Sequence, residues 1–318
     1  MMKRWAVLSL CLIAVISFAA CGTTDQLSSS GEGSAPAGST EQASTPGEKL
    51  QVSVTFDAMK EFVAAVGQDK VEITTIIPTG TEPHDFEPKA QDLVGLSTAK
   101  VFVFSGLGME AWVEEAIQAA NNANLVAVEA SRGADTIANT EPEEIEEHGQ
   151  YDPHIWLSLK GAELEVTNIK DGLIQADPSN KDFYEKNCND FVAQLESLYN
   201  EYNGKFQSAP KKSFVTGHAA FGYLCRDFDL EQNSVEDTFA EGEPTAQQLA
   251  ELVEYCKENK VTTIFAEEMA SPDVSQTLAN EVGAKVETIY TIEGSEDDLT
   301  YLERMESNLS KIYDSLMG

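Results

Sequence analysis

Residues 180–207 read NKDFYEKNCNDFVAQLESLYNEYNGKFQ. Phe183, Tyr184, Phe191, Leu195, Leu198, Tyr202 and Phe206 recur at intervals near three and four, the spacing of one helix face. At about 1.5 Å per residue such a helix runs about 40 Å, long enough to brace two lobes. Working outward, Leu159–Ala176 reads as a second helix, stopped by Asp177-Pro178. Before it, β-rich runs at Leu50–Phe56, Val71–Ile77, Val101–Phe104 and Leu125–Glu129 alternate with helical patterns at Ala58–Val66, Gln91–Thr98 and Glu110–Ala120. Beyond the long helix the alternation resumes. Strands are expected at Lys212–Thr216, Gln232–Val235, Val261–Ala266 and Lys285–Tyr290. Helices are expected at Ala219–Phe228, Pro244–Asn259 with the proline in the first turn, Asp273–Val282 and Leu299–Met317. Strands alternating with helices predict parallel sheets covered by helices, an α/β class. The expected architecture is two parallel-sheet lobes, residues 49–179 and 209–318, joined by one long helix, 180–208. A chain of 318 residues suits two lobes at roughly 150 residues each.

The first residues belong to no lobe. Lys3 and Arg4 precede an apolar run, Trp5 to Ala20, that falls short of the ~20 residues a spanning helix needs. Residues 1–20 therefore read as an export signal. The run ends Ser17-Phe18-Ala19-Ala20-Cys21-Gly22, which resembles a lipobox whose cysteine is acylated. Residues 21–48 follow, almost entirely small, polar or acidic, with Leu27 the one large apolar side chain. Such a segment cannot bury enough surface to offset its ordering entropy, so it reads as a disordered tether reaching about 30 Å. The expected location is the extracytoplasmic face of the cell membrane, held by lipid on Cys21. Cys188, Cys225 and Cys256 form neither a disulfide framework nor a CxxC zinc site; one bridge and a free thiol, or three buried thiols, both fit.

The net charge of −33 repels phosphate backbones, so nucleic acid is not an expected partner, and cations are the natural ligands of such a field. Only four histidines occur. His84 follows the strand Val71–Ile77, His154 ends a long polar loop from Arg132 to Asp152, and His218 lies between a strand and a helix. Ligands of open parallel sheets bind beyond the carboxyl ends of strands. Three histidines in such places suggest a shared metal site, against the ordinary reading of each as a hydrogen-bonding surface residue. His148, within the glutamate-rich part of that loop, reads as surface or as a weak accessory contact. A carboxylate would complete a tetrahedral set suited to Zn²⁺. Glu267 or Glu268 after one strand, and Glu293 after another, are both candidates, and spacing does not separate them.

Taken in order, several motifs resemble one family. They are Glu82-Pro-His84-Asp-Phe-Glu-Pro88, Ser105-Gly-Leu-Gly-Met-Glu-Ala-Trp112, Asp152-Pro-His154-Ile-Trp-Leu157, His218-Ala-Ala-Phe-Gly-Tyr-Leu224, Gly242-Glu-Pro-Thr245 and Tyr290-Thr-Ile-Glu293-Gly294. Together with the lipoprotein-like start, they are similar to the zinc and manganese solute-binding proteins of ABC transporters, the ZnuA-type or cluster A-I group. The resemblance runs from Leu50 to Gly318. It implies a rigid linking helix and one metal ion in the cleft between the lobes. It also implies His84, His154 and His218 as ligands, with Glu293 preferred over Glu267 as the fourth. Manganese-binding members tend to carry glutamate at the position of His218, so the resemblance favours Zn²⁺ over Mn²⁺. The loop before Asp152 is often histidine-rich in zinc members and is glutamate-rich here. Glu82 is expected beside the site, behind the ligands or as an alternative contact. The implied partners are an ABC permease and its ATPase, with the protein itself a monomer.

Two other classes compete. A secreted zinc hydrolase would keep an open metal position and a general base, and no HExxH occurs. Four protein ligands would close the site, so no enzymatic activity is expected. A surface adhesin is suggested by export and the tether alone.

Overall fold

The computed structural model describes residues 49–84, 86–139, 145, 149–239, 244–267, 273–294 and 297–318. The expected signal, Cys21, the tether, His148 and Glu268 lie outside them. Four strands make the first sheet: β1 (Leu50–Val54), β2 (Val71–Thr75), β3 (Val101–Phe104) and β4 (Val126–Glu129). Their order is β2-β1-β3-β4 and every pair is parallel. Parallel strands need crossovers, and α1 (Asp57–Gly67) supplies the one between β1 and β2, burying Met59, Phe62, Val63 and Val66.

The second sheet repeats this plan. Strands β5 (Ser213–Thr216), β6 (Glu231–Ser234), β7 (Thr263–Glu267) and β8 (Lys285–Ile289) lie in the order β6-β5-β7-β8, again all parallel. Around the two sheets run α2 (Val113–Ala120), α3 (Leu159–Ala176), α4 (Lys181–Ser208), α5 (Gly222–Phe228), α6 (Ala246–Glu258), α7 (Asp273–Val282) and α8 (Tyr301–Met317).

Several helices differ at their starts from the sequence-based expectation, among them those that begin at Gly222 rather than Ala219 and at Tyr301 rather than Leu299. The segment expected helical over Gln91–Thr98 makes only a 3-10 turn, Val94–Ser97, with Leu96 its single buried residue. Gly95 sits inside it, and one apolar contact gives a longer helix too little burial to offset its ordering cost. Glu110 stays outside α2 because its carboxylate accepts from the Thr55 hydroxyl and from the Ser105 and Gly106 backbone N–H groups. Pro244 precedes α6 rather than opening it. Thr245 is the N-cap, in a capping box with Gln248.

Helix α4 is 28 residues long and buries Tyr184, Cys188, Phe191, Leu195, Tyr202 and Phe206. These side chains belong to one apolar cluster that also holds Val52 and Phe62 of the first lobe and Phe214, Phe265 and Leu309 of the second. Helix α8 adds a second brace. At its start the Tyr301 hydroxyl donates to the Trp156 carbonyl (2.6 Å), and Arg304 reaches Asp57 of α1 at 2.6 Å. The Trp156 indole N–H donates to the Thr291 carbonyl at 2.7 Å. Cys188, Cys225 and Cys256 are buried free thiols. No described helix is long and apolar enough to cross a membrane.

Candidate metal centre

Each histidine reaches the space between the sheets from a different kind of segment. His84 comes from the loop after β2, where its backbone N–H donates to a Glu82 carboxylate oxygen at 3.3 Å. His154 precedes the 3-10 turn Ile155–Leu157 that leads into α3. His218 follows β5, and Glu293 follows β8. One ligand atom from each of His84, His154, His218 and Glu293 lies within 4.8 Å of all the others. The Nε2 atoms of His84 and His154 are 3.1 Å apart, and Glu293 Oε1 lies 3.5 Å from the second and 3.8 Å from the first. Atoms bound at 2.0–2.1 Å to one tetrahedral zinc sit about 3.3 Å from each other, so these edges bracket the size such a shell needs.

The atoms behind the histidines decide which nitrogen faces inward. Asp152 Oδ1 accepts from the His154 backbone N–H and lies 2.9 Å from its Nδ1. That assigns the proton to Nδ1 and leaves the Nε2 lone pair for the cleft. Glu267, the last residue of β7, does the same from the second lobe. Its Oε1 accepts the His218 backbone N–H at 3.0 Å and approaches Nδ1 at 3.5 Å. Glu267 thus stands behind His218, outside the converging four, and Glu293 stands within them. A Cβ on Gly217 would lie 1.8 Å from Glu267 Oε2, so glycine is required for that carboxylate to approach.

The turn that delivers Glu293 contains a strained residue. Ile292 has φ of 59°, left-handed for a β-branched side chain, and is fully buried. Its carbonyl accepts from the Ala58 N–H at 3.1 Å, and the Glu293 carbonyl accepts from Asp57 at 3.4 Å, pinning the turn to the start of α1. The left-handed residue of this turn is thus Ile292.

Electrostatics follow from this crowding. Burial lowers the His218 pKa, but the hydrogen bond and charge of Glu267, then Glu293 and Glu82, reverse this and push it up to about 9. Burial raises Glu293, yet the approach of His154 and the charges of His218 and His84 bring it down to about 2. Burial and the Glu293 charge lift Glu82 to about 7. His218 Nε2 and Glu293 Oε1 are buried and make no hydrogen bond among the described residues. Buried polar atoms are costly to leave unmatched, and three imidazoles with one carboxylate are donors that suit a borderline divalent cation. Sequence reasoning missed the backing role of Asp152, although its place two residues before His154 was visible.

The sequence profile of the family described as "Zinc-uptake complex component A periplasmic" matches residues 52–315. A Treponema pallidum protein named for metal binding is 46% identical over 284 residues, covering 86% of this chain and 90% of that one. The high-affinity zinc uptake system protein ZnuA of Bacillus subtilis is 38% identical over 330 aligned positions, covering 100% and 99%. A zinc-bound crystal structure of a ZnuA deletion mutant superposes with TM-score 0.76 at 31% identity, covering 85% of this chain and 99% of that one.

Proposed function

Because the chain belongs to the family of periplasmic zinc-uptake complex A components, we propose that it captures Zn²⁺ outside the cytoplasm and delivers it to an ABC permease and its ATPase. The observation that carries this reading is the convergence of four donor atoms, from both lobes, within 4.8 Å. We assign His84, His154, His218 and Glu293 as the ligands. Imidazole nitrogen favours Zn²⁺ over Mn²⁺, which binds most weakly of the divalent series at a given nitrogen and oxygen site. Four side-chain donors fill a tetrahedral shell and leave no place for an activated water, so the site is read as a carrier rather than a catalyst. We assign residues 1–20 as the export signal, Cys21 as the acylated anchor and 21–48 as the tether. The body comprises lobes 49–179 and 209–318 around the helix 180–208.

Calorimetric titration of chelator-stripped protein with Zn²⁺ tests the core of this reading. It should show one equivalent bound, with His84→Ala, His154→Ala and His218→Ala each losing at least tenfold in affinity. A parent protein that ignores micromolar zinc would end it. Membrane fractionation of Cys21→Ala in the native host tests the anchor separately, and unchanged fractionation would remove it.

A further inference from the structure

A large aromatic side chain is buried beside these polar groups. Phe239 is 2% exposed, yet it lies outside the three apolar clusters formed by the described residues. Its ring meets the His84 imidazole edge-on, with centroids 5.5 Å apart and planes at 85°. The same imidazole also meets His154, at 5.0 Å, and His218, at 6.2 Å. Although His84 sits in a loop, its side chain is only 1% exposed.

The segment carrying Phe239 is clamped to the His218 loop. Thr216 and Gly217 carbonyls accept from Val235, and the Gly217 carbonyl also accepts from Glu236 at 2.7 Å. Ala219 donates to the Asp237 carbonyl at 2.9 Å, and the Phe239 N–H is held by its Asp237 Oδ1 acceptor at 3.1 Å. An aromatic ring fixed to the second lobe thereby covers a histidine of the first.

We propose that Phe239 is a specificity-determining residue. Its ring excludes water from the His84 side of the cluster, holding the bound ion to four protein donors. Zn²⁺ accepts four-coordination readily, whereas Mn²⁺ favours six ligands and keeps water among them. An apolar wall around a site controls solvent access to it, and this wall would penalise the ion that needs water. The inference rests on the ligand assignment above, and its test separates the two.

Chelator-stripped parent and variants are loaded with Co²⁺ for visible absorption and dialysed against mixed Zn²⁺ and Mn²⁺ for metal analysis. Phe239→Ala should weaken the intense tetrahedral cobalt bands severalfold and lower the Zn:Mn preference at least tenfold, while Phe239→Leu stays close to the parent. Phe239→Gln, of similar bulk but polar, should behave as the alanine variant does, and it carries the test if Phe239→Ala does not fold. Parent-like cobalt bands and metal preference in folded Phe239→Ala or Phe239→Gln would overturn the proposal. So would Phe239→Leu losing as much as Phe239→Ala with unchanged metal-free melting. A parent that binds neither metal would instead remove the ligand assignment.

Discussion

Asp152 and Glu267 hold the far nitrogens of two histidines, and each should be visible in metal affinity without touching the metal. Removing such a partner typically costs 10–100-fold. Asp152→Asn is therefore expected to weaken zinc by about that factor, read by chelator competition, and an unchanged affinity would show the hydrogen bond to be incidental. His218, raised to about 9, must shed its proton before binding. Zinc affinity should thus climb with pH to about 9, well beyond the 6.5 of a free histidine. The metal-free protein has the opposite slope. A histidine raised on folding stabilises below its unfolded pKa, and that stability is lost as pH rises towards about 9. The melting shift produced by zinc should therefore widen between pH 6.5 and 9, and a constant shift would contradict the protonated His218.

At the scale of elements, close approach between segments sets what each can carry. The turn from β5 to His218 passes so near the end of β7 that Gly217→Ala must displace the flexible Glu267 carboxylate. The expected result is weaker zinc binding with little loss of metal-free melting temperature, and full affinity would show that the carboxylate is dispensable. Helix α3 carries a different burden. Glu165 is fully buried, and neither of its oxygens has a well-formed hydrogen bond among the described residues. Burial with the Glu110 charge outweighs the nearby Ser105 hydroxyl and pushes its pKa well up. A carboxyl raised in the folded state takes up a proton on folding, so its contribution falls as pH rises above its unfolded value. Glu165→Gln keeps the shape without the titration. It should stabilise the protein by about 1–3 kcal/mol near pH 8 and by less near pH 5, measured by urea unfolding. Destabilisation at pH 8 would mean that the ionised form is the one held.

Across the whole molecule, the apolar cluster along α4 runs through both lobes, and the buried Arg304 joins α8 to Asp57 of α1. A shared core predicts shared unfolding. Calorimetry of metal-free protein should show one transition in which calorimetric and van't Hoff enthalpies agree, and zinc should move it as a unit. Two separable transitions would show the lobes to be independent. Arg304→Met removes the guanidinium from the buried Asp57 and leaves it Lys60, at 2.9 Å. Urea unfolding should therefore show a loss below the about 3–5 kcal/mol of a fully unpaired buried charge, and unchanged stability would show the pair to be incidental.

Periodicity carries most of the architecture into the sequence. The spacing of Phe191, Leu195 and Tyr202 reveals α4, and β-rich runs reveal the strands other than the polar β6, because burial on one face requires those patterns whatever lies opposite. The convergence of His84, His154 and His218 was legible too, since His84 and His218 follow strands and His154 ends the long polar loop, the places from which side chains reach a cleft. Local patterns do not encode meetings between distant segments. Glu267 and Glu293 look alike in sequence, each an acid at the end of a strand. Only the folded chain puts one behind His218 and the other beside His84 and His154, because that choice depends on how two sheets face each other. The left-handed Ile292 and the placing of Phe239 over His84 have the same origin. Both are imposed by contacts between segments far apart in the chain, which no run of neighbouring residues records.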